Sequence, residues 1–263
     1  MKALIPAAGH GTRFLPITRV VPKEMLPIGA KPAIQLIVEE ALNAGADEVV
    51  IVISPEKEII RRYFAGDSAL APRIRWTFQT EQKGLGHAVL QAAELLRDER
   101  DPVLVLLGDA LVAGETPSAS MVAISRACGG ASVVGLEEVP MERVSRYGIV
   151  KGLKGIGDLN GSNALKDIND LDRIVKISDM VEKPAPDKAP SRLAIAGRYL
   201  LDSQIFEFLA SQTPGSGGEI QLTDAIRRLL AAKAVYGYRY PGTRHDIGNP
   251  AGYLEALKAF CET

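Results

Sequence analysis

Short apolar segments alternate with longer segments of helical period along the first half of the chain. The earliest apolar segment is residues 3–5, and a helical pattern follows at 32–45. Residues 49–53 are all Val or Ile, and a second helical pattern covers 56–65. This order predicts a strand, a helix, a strand and a helix in succession, which is typical of an α/β protein.

The same alternation continues as far as residue 107. A strand is predicted near 74–79, a helix over 85–97 and a fully apolar strand over 103–107. Segments made almost wholly of Val, Ile and Leu are typical of strands that are covered on both faces, as in parallel sheets. The chain is therefore predicted to have an α/β fold with a mostly parallel central sheet between helices.

The second half of the chain has a looser pattern, with more strands and fewer helices, so a mixed region is predicted after about residue 130. No Pro/Ser-rich linker or charge block divides the chain, and we expect one domain over residues 1–263. The Gly-rich segment 152–163 predicts a surface loop. Strands are predicted near 131–138, 147–151, 174–181 and 193–201, and helices near 203–210, 219–232 and 250–260.

The composition favours a globular protein of the reducing cytoplasm. With 263 residues, 46% of them hydrophobic, the chain can bury a large core without disulfide bonds. Cys128 and Cys261 match no metal-binding or redox spacing, and the residues after Met1 form too short an apolar run for a signal peptide. No segment reaches the roughly 18 apolar residues of a membrane span. We therefore expect a cytoplasmic protein with no membrane partner.

A glycine-containing loop directly follows the first predicted strand. The formal net charge is only -1, so nucleic acid is not an expected partner and any anion must be bound by local groups. Residues 7–13 read AAGHGTR, and their small side chains let backbone N–H groups approach an anion. Glycines also serve ordinary tight turns, but Arg13 and Lys23 add two cations here. We name residues 7–13 the phosphate loop.

Three classes of nucleotide-binding loop are compatible with a glycine-containing turn at this place. The dinucleotide fold requires GxGxxG and an acidic residue at the end of the second strand, whereas Phe14 takes the third glycine position and 53–55 read ISP. A P-loop requires GxxxxGK[ST], and no Gly-Lys pair occurs in the chain. The remaining class, GxGTR followed by a Pro-Lys pair, fits at every position.

Five motifs extend this match along the chain. They are AAGHGTR (7–13), PKEMLP (22–27), QKGLGHA (82–88), VEKP (181–184) and GEIQLTDAI (218–226), and HDIGN follows at 245–249. In this order they resemble the sugar nucleotidyltransferases, and among these the bacterial UTP:glucose-1-phosphate uridylyltransferases. The PKEMLP form resembles the uridylyl enzymes more than the thymidylyl enzymes, for which a KQLL pattern is expected.

The resemblance implies a Rossmann-like fold of the nucleotide-diphospho-sugar transferase type. Residues up to about 130 would bind nucleotide and the rest sugar phosphate. The implied reaction is in-line attack of glucose 1-phosphate on the α-phosphate of UTP, assisted by Mg²⁺, to give UDP-glucose and pyrophosphate. A homo-oligomer of two or four chains is expected. Two alternatives are the same chemistry with dTTP, CTP, GTP or mannose 1-phosphate, and a protein that binds a nucleotide sugar without turnover.

The resemblance also assigns the charged site residues. Arg13, Lys23 and Lys183 are the expected catalytic cations that contact phosphate groups. Asp109, after the apolar strand 103–107, and Asp246 are expected to share Mg²⁺, which prefers hard oxygen ligands. Each aspartate also fits an ordinary turn or helix cap.

The remaining expected site residues bind the two substrates. An amide side chain matches the edge of uracil without charge, and we assign this role to Gln79, with Gln82 as the alternative if the alignment slips. The nucleotide is expected at Ala7, Ala8, Gly9, Gly11, Thr12, Gln79 and Gly84. The sugar phosphate is expected at Gly148, Glu182 and Lys183.

Overall fold

The computed structural model describes residues 1–153 and 171–261, which form one nine-stranded sheet and two small two-stranded sheets. The strands are β1 (Lys2–Pro6), β2 (Pro27–Ile28), β3 (Lys31–Pro32), β4 (Glu48–Ile53), β5 (Ile74–Phe78), β6 (Val103–Leu106), β7 (Ala110–Ala113), β8 (Ser132–Glu138), β9 (Gly148–Leu153), β10 (Ile174–Glu182), β11 (Leu193–Leu201), β12 (Val235–Arg239) and β13 (Thr243–Asp246). The helices are α1 (Ala33–Asn43), α2 (Glu58–Ala65), α3 (Leu85–Leu90), α4 (Ser118–Ala127), α5 (Ile205–Ala210), α6 (Leu222–Leu230) and α7 (Pro250–Cys261).

The first half of the large sheet is parallel and covered on both faces. Strands β5, β4, β1 and β6 are neighbours in that order, and all three pairings are parallel. Alternate residues of β4 enter two different cores: Ile51 packs in the cluster that contains Ile37 of α1, and Val52 in the cluster that contains Val89 of α3. Because both faces are buried, the strand needs apolar residues at every position, which explains its unbroken Val/Ile sequence.

The second half continues the same sheet with mixed directions. Strand β11 lies between β6 and β8 and is antiparallel to both, and β12 is parallel to β8. Strands β10 and β9 complete the sheet as an antiparallel pair beyond β12. The predicted α/β fold with a parallel sheet between helices is therefore confirmed, and the mixed region extends that sheet.

One predicted helix is shorter than expected. The prediction covered 85–97, but the α-helix ends at Leu90, and residues 91–98 form turns. The N–H groups of Ala92, Ala93 and Leu95 each bond three residues back, so the tighter hydrogen-bond pattern interrupts the α-helical one. The longest described helix, α7, has 12 residues. Within residues 1–153 and 171–261, no helix has the length and apolar character needed to cross a bilayer. The predicted loop 152–163 lies mostly outside the described residues.

An ion pair that the pattern did not predict lies inside the core. Arg198 on β11 has no solvent exposure, and its side chain forms two hydrogen bonds with Glu40 of α1, at 2.9 and 2.7 Å. It also donates to the carbonyls of Ala110 (2.8 Å) and Gly197 (3.1 Å). The pair therefore joins helix α1, the centre of the sheet and the start of β7.

Candidate active site

The phosphate loop begins where β1 ends in the middle of the parallel sheet. The Ala7 N–H donates to Val52 O at 2.8 Å, and the chain then leaves the sheet. Gly11 has a φ of 67°, a left-handed conformation that favours glycine. A Cβ at Gly11 would also lie 3.1 Å from Thr18, and a short 3-10 turn over Thr12–Phe14 follows. The second glycine of GxG thus serves both the turn and the close packing.

A cavity of about 300 Å³ lies beside this loop, at the carboxyl ends of β1 and β6. Seven of the predicted site residues contribute to its wall. They are Ala7, Ala8, Gly9, Lys23, Gln79, Gly84 and Asp109. Gly11, Thr12 and Arg13 continue the loop just outside the cavity. The cavity therefore occupies the edge of the sheet where open α/β sheets bind their ligands.

Lys23 and Asp109 form an ion pair in this cavity, from the Lys23 Nζ to Oδ2 of Asp109. Burial acts to lower the pKa of Lys23, but Asp109, Glu24 and Asp246 outweigh it and the pKa is raised. Burial acts to raise the pKa of Asp109, but Lys23 outweighs it and the pKa is lowered. Both groups are therefore charged at neutral pH.

Asp246 lies beside Asp109 because β13 pairs with β7. Asp246 is opposite Ala110 in this antiparallel pair, and the Ile247 N–H donates to Asp109 O at 2.9 Å. Oδ1 of Asp246 and Oδ2 of Asp109 lie within 2.8 and 3.2 Å of one point, the place where a Cβ on Gly248 would stand. The Gly248 N–H also donates to Asp246 Oδ1 at 2.9 Å. Asp246 thus forms a turn, and its carboxylate lies near that of Asp109.

This arrangement fits a hard divalent cation. Asp109 and Asp246 place carboxylate oxygens near each other, although no group of three or more His, Cys, Asp and Glu side chains within the described ranges is arranged to hold a metal by itself. Mg²⁺ is commonly held by one or two carboxylates together with substrate phosphates and water. Arg13, which is largely exposed, has its Nη1 3.8 Å from Oδ2 of Asp246. Four of the six charged residues predicted for the site, Arg13, Lys23, Asp109 and Asp246, are therefore close together.

The predicted base-binding residues form a second wall of the cavity. The Gln79 side chain is 3% exposed, and its Nε2 donates to Gly84 O at 3.2 Å. Gln82, the alternative, donates from its Nε2 to Ala8 O at 3.2 Å and also lines the cavity. Gly84 has a φ of 93°, and a Cβ there would lie 2.8 Å from the Cβ of Glu219. Glycine is therefore required at residue 84 for both conformation and space.

The predicted sugar-phosphate residues form a separate group on β9 and β10. Gly148 pairs directly with Glu182, and Lys183 follows at the end of β10. The Lys183 Nζ is 3.5 Å from Glu182 Oε1. Lys183 has a φ of 45° and is the one non-glycine residue with positive φ in the described part of the chain. Such local backbone strain is often found at functional sites.

The segment 219–223 connects the two groups. Glu219 lines the cavity beside Gly84, and Thr223, at the start of α6, donates to Glu182 Oε2 at 2.6 Å. Tyr199 is buried near both groups of site residues. Burial raises the pKa of its phenol most, and the charges of Glu182 and Asp109 raise it further. Glu219 and Thr223 had no predicted role, although both lie in the GEIQLTDAI motif.

A buried ion pair below the phosphate loop was also not predicted. Glu24 and Lys57 are 1% and 6% exposed, and the Lys57 Nζ is 2.9 and 2.8 Å from the two Glu24 carboxylate oxygens. Lys57 stands in a charged run, EKE at 56–58, which is usually a solvent-exposed pattern. The signal available in the sequence was only that Glu24 lies within the PKEMLP motif.

Comparisons with known proteins identify the family of the chain. The model of a family described as nucleotidyl transferase matches residues 2–263. UTP–glucose-1-phosphate uridylyltransferase 2 of Staphylococcus saprophyticus is 41% identical over 275 residues, covering 97% of this chain and 89% of that protein. The UTP–glucose-1-phosphate uridylyltransferase of Bacillus subtilis is 39% identical over 280 residues, covering 98% and 90%.

Solved structures show the same fold. A crystal structure of UDP-glucose pyrophosphorylase complexed with UDP-glucose has a TM-score of 0.85 and 37% identity, covering 99% of this chain and 98% of that one. The apo form of UDP-glucose pyrophosphorylase has a TM-score of 0.86 and 36% identity over the same shares. The resemblance inferred from the motifs is thus confirmed, and the chain belongs to the nucleotidyl transferase family.

Proposed function

We propose that this protein transfers the uridylyl group of UTP to glucose 1-phosphate and releases pyrophosphate. The observation that supports this most strongly is the meeting of two cations and two carboxylates beside the phosphate loop. The names of relatives that are about 40% identical over nearly the whole chain favour UTP and glucose 1-phosphate over other pairs.

Electrostatic repulsion is the main obstacle to this reaction. Two unit charges 4 Å apart repel by about 4 kcal/mol at an effective dielectric constant of 20, and each substrate carries several charges. In the proposal, Lys23 and Arg13 bind the triphosphate, and N–H groups of the phosphate loop bind its oxygens. The sugar phosphate is already ionised, so no general base is required. Catalysis then consists of positioning and charge neutralisation.

Asp109 and Asp246 are the residues that would hold Mg²⁺. The cation would supply further neutralisation of the α-phosphate and of the leaving pyrophosphate. Lys23 and Arg13 lie beside these carboxylates, so the same two side chains would reach phosphate groups bound next to the cation.

The sugar phosphate is assigned to the β9–β10 end of the site. Glu182 would accept hydrogen bonds from sugar hydroxyls, and Gly148 is assigned to the same end of the site because its missing side chain leaves room for that carboxylate. Lys183 would bind the phosphate of the sugar; its side chain is about half exposed and lies beside Glu182. Gln79 would read the uracil edge, with Gly84 providing backbone contacts.

We further propose that residues 1–263 act as one domain in the cytoplasm, as a homo-oligomer of two or four chains. The continuity of the nine-stranded sheet across residue 130 supports a single domain. Light scattering of the purified protein would measure the number of chains, and a monomeric mass would contradict the oligomer.

A substrate matrix tests the proposed function. We expect the highest kcat/KM for UTP with glucose 1-phosphate when pyrophosphate release is measured with Mg²⁺. The other arms are dTTP, CTP and GTP, each with glucose 1-phosphate or mannose 1-phosphate. A higher kcat/KM in another arm would reassign the substrates, and tight UDP-glucose binding without pyrophosphate release would assign a binding protein.

Gly148→Ala is expected to raise the KM for glucose 1-phosphate about tenfold and to leave the KM for UTP near its wild-type value. The added methyl group would lie 2.8 Å from Thr223 Oγ1 and 3.2 Å from Glu182 Oε2, so it would displace the carboxylate. Gly66→Ala is the matched control, because its φ is -81° and the nearest atom to its Cβ is 3.6 Å away. An unchanged KM for glucose 1-phosphate in folded Gly148→Ala would remove Gly148 from the sugar site.

A further inference from the structure

Lys57 lies directly beneath the phosphate loop. Its ammonium group donates to Ala7 O and to Gly9 O, both at 2.7 Å, and to the Glu24 carboxylate. An ammonium has three donors, and here two of its acceptors are carbonyls of one loop. Two carbonyls of the loop are therefore held by one buried side chain, from the turn that follows β4.

Holding these two carbonyls determines where the next N–H groups point. In a planar trans peptide, the C=O of one residue and the N–H of the next point in opposite directions. Because the carbonyls of Ala7 and Gly9 point at Lys57, the N–H groups of Ala8 and His10 point away from it. Neither N–H makes a backbone hydrogen bond within residues 1–153 and 171–261.

The charge of Lys57 is balanced by Glu24, whose neighbour Lys23 lines the cavity. Burial is the largest influence on both members of the pair, and it raises the pKa of Glu24 and lowers that of Lys57. Burying two charges is costly, and an apolar pair of similar volume is often as stable. Fold stability is thus a weak reason for these two residues, whereas the contacts with the loop carbonyls provide a specific one.

We propose that Lys57 is a positioning residue that fixes the phosphate loop so that the N–H groups of Ala8 and His10 donate to the triphosphate. Glu24 keeps the Lys57 ammonium in place and holds the turn that carries Lys23. The inference rests on the proposed function for the identity of the triphosphate.

A variant that removes both buried charges tests this assignment. Lys57→Met alone leaves Glu24 buried without its partner and is expected to fold poorly, so Glu24→Gln/Lys57→Met is the informative variant. We expect its Kd for UTP, measured by calorimetry, and its KM for UTP to rise about 10- to 100-fold, the effect of losing one or two charge-assisted hydrogen bonds. The KM for glucose 1-phosphate should stay near wild type. A merely structural role would instead lower the melting temperature and leave both KM values unchanged.

Lys233→Met is the matched control, because Lys233 also pairs with a carboxylate, at 2.5 Å, but at the surface. It should bind UTP as the wild type does. A folded double variant with wild-type UTP affinity would overturn the role of Lys57 and leave the proposed function intact. If the wild-type protein binds UTP but releases no pyrophosphate, the proposed function is wrong while the role of Lys57 in UTP binding stands.

A second measurement needs no variant. In ¹⁵N-labelled wild-type protein, UTP should shift the backbone amide signals of Ala8 and His10 more than that of Gly66, which lies outside the loop. Signals of Ala8 and His10 that do not move at saturating UTP would overturn the proposal, whatever the behaviour of the variants.

Discussion

Replacing Asp109 by asparagine is expected to lower kcat by roughly 10³-fold while the protein still folds. Asparagine has nearly the same size, so the packing is preserved, but it carries no charge. The change deprives Lys23 of its counter-ion and removes one of the two carboxylates that lie beside Gly248. Pyrophosphate release from UTP and glucose 1-phosphate at saturating substrates and Mg²⁺ measures the effect.

Asp246→Asn tests the other half of the pair. If both carboxylates act on one cation, the double variant should lose about as much turnover as the more damaging single variant, because residues that act as a unit are not additive. Asp187→Asn is the control, since Asp187 lies in an exposed turn over Pro186–Lys188. Wild-type turnover in folded Asp109→Asn would show that this carboxylate has no part in the reaction.

The fold was predictable because its central strands are buried on both faces. Such strands require apolar residues at every position, so the segments 49–53 and 103–107 stand out in the sequence. The antiparallel insertion of β11 between β6 and β8 leaves no comparable mark, because the direction of a strand depends on contacts between distant residues. The end of α3 at Leu90 depends in the same way on its surroundings and was predicted seven residues too late.

Most of the candidate site was predictable for a different reason. The phosphate loop is continuous in sequence, and Asp109 follows an obvious strand, so their residue types and order are informative. The pairing of Asp246 with Ala110 brings the second carboxylate to the first, and this contact crosses more than 130 residues of chain. Only the motif HDIGN marked Asp246 in advance.

The supporting charges were not predictable from local pattern. Lys57 occurs in a charged run, and Glu40 is a charged residue of an amphipathic helix. Charged side chains in both contexts are usually exposed to solvent. Arg198 is the exception, because it is the single charged residue in the apolar strand LAIAGRYLL at 193–201. A lone arginine in such a strand indicates either a strand edge or a buried partner, and the structure identifies the partner as Glu40.

Replacing Arg198 by methionine is expected to destabilise the protein by about 3–5 kcal/mol, because it leaves Glu40 buried without a counter-charge. For a chain of this size, a loss of that order lowers the melting temperature by roughly 10 °C. Arg192→Met is the control: Arg192 pairs with Glu138 at the surface, where both side chains are more than half exposed, and such pairs contribute under about 1 kcal/mol. Thermal unfolding followed by circular dichroism gives both values.

The double variant Glu40→Met/Arg198→Met separates the charge from the contacts. If the unpaired carboxylate causes the loss, removing it should restore most of the stability. The contact between Arg198 and Ala110 O would remain absent, and Ala110 is the residue that follows Asp109. We therefore expect the double variant to melt near the wild-type temperature but to turn over more slowly. Full recovery of both properties would mean that Arg198 only neutralises Glu40, and recovery of neither would mean that its contacts with the backbone determine the stability of the core.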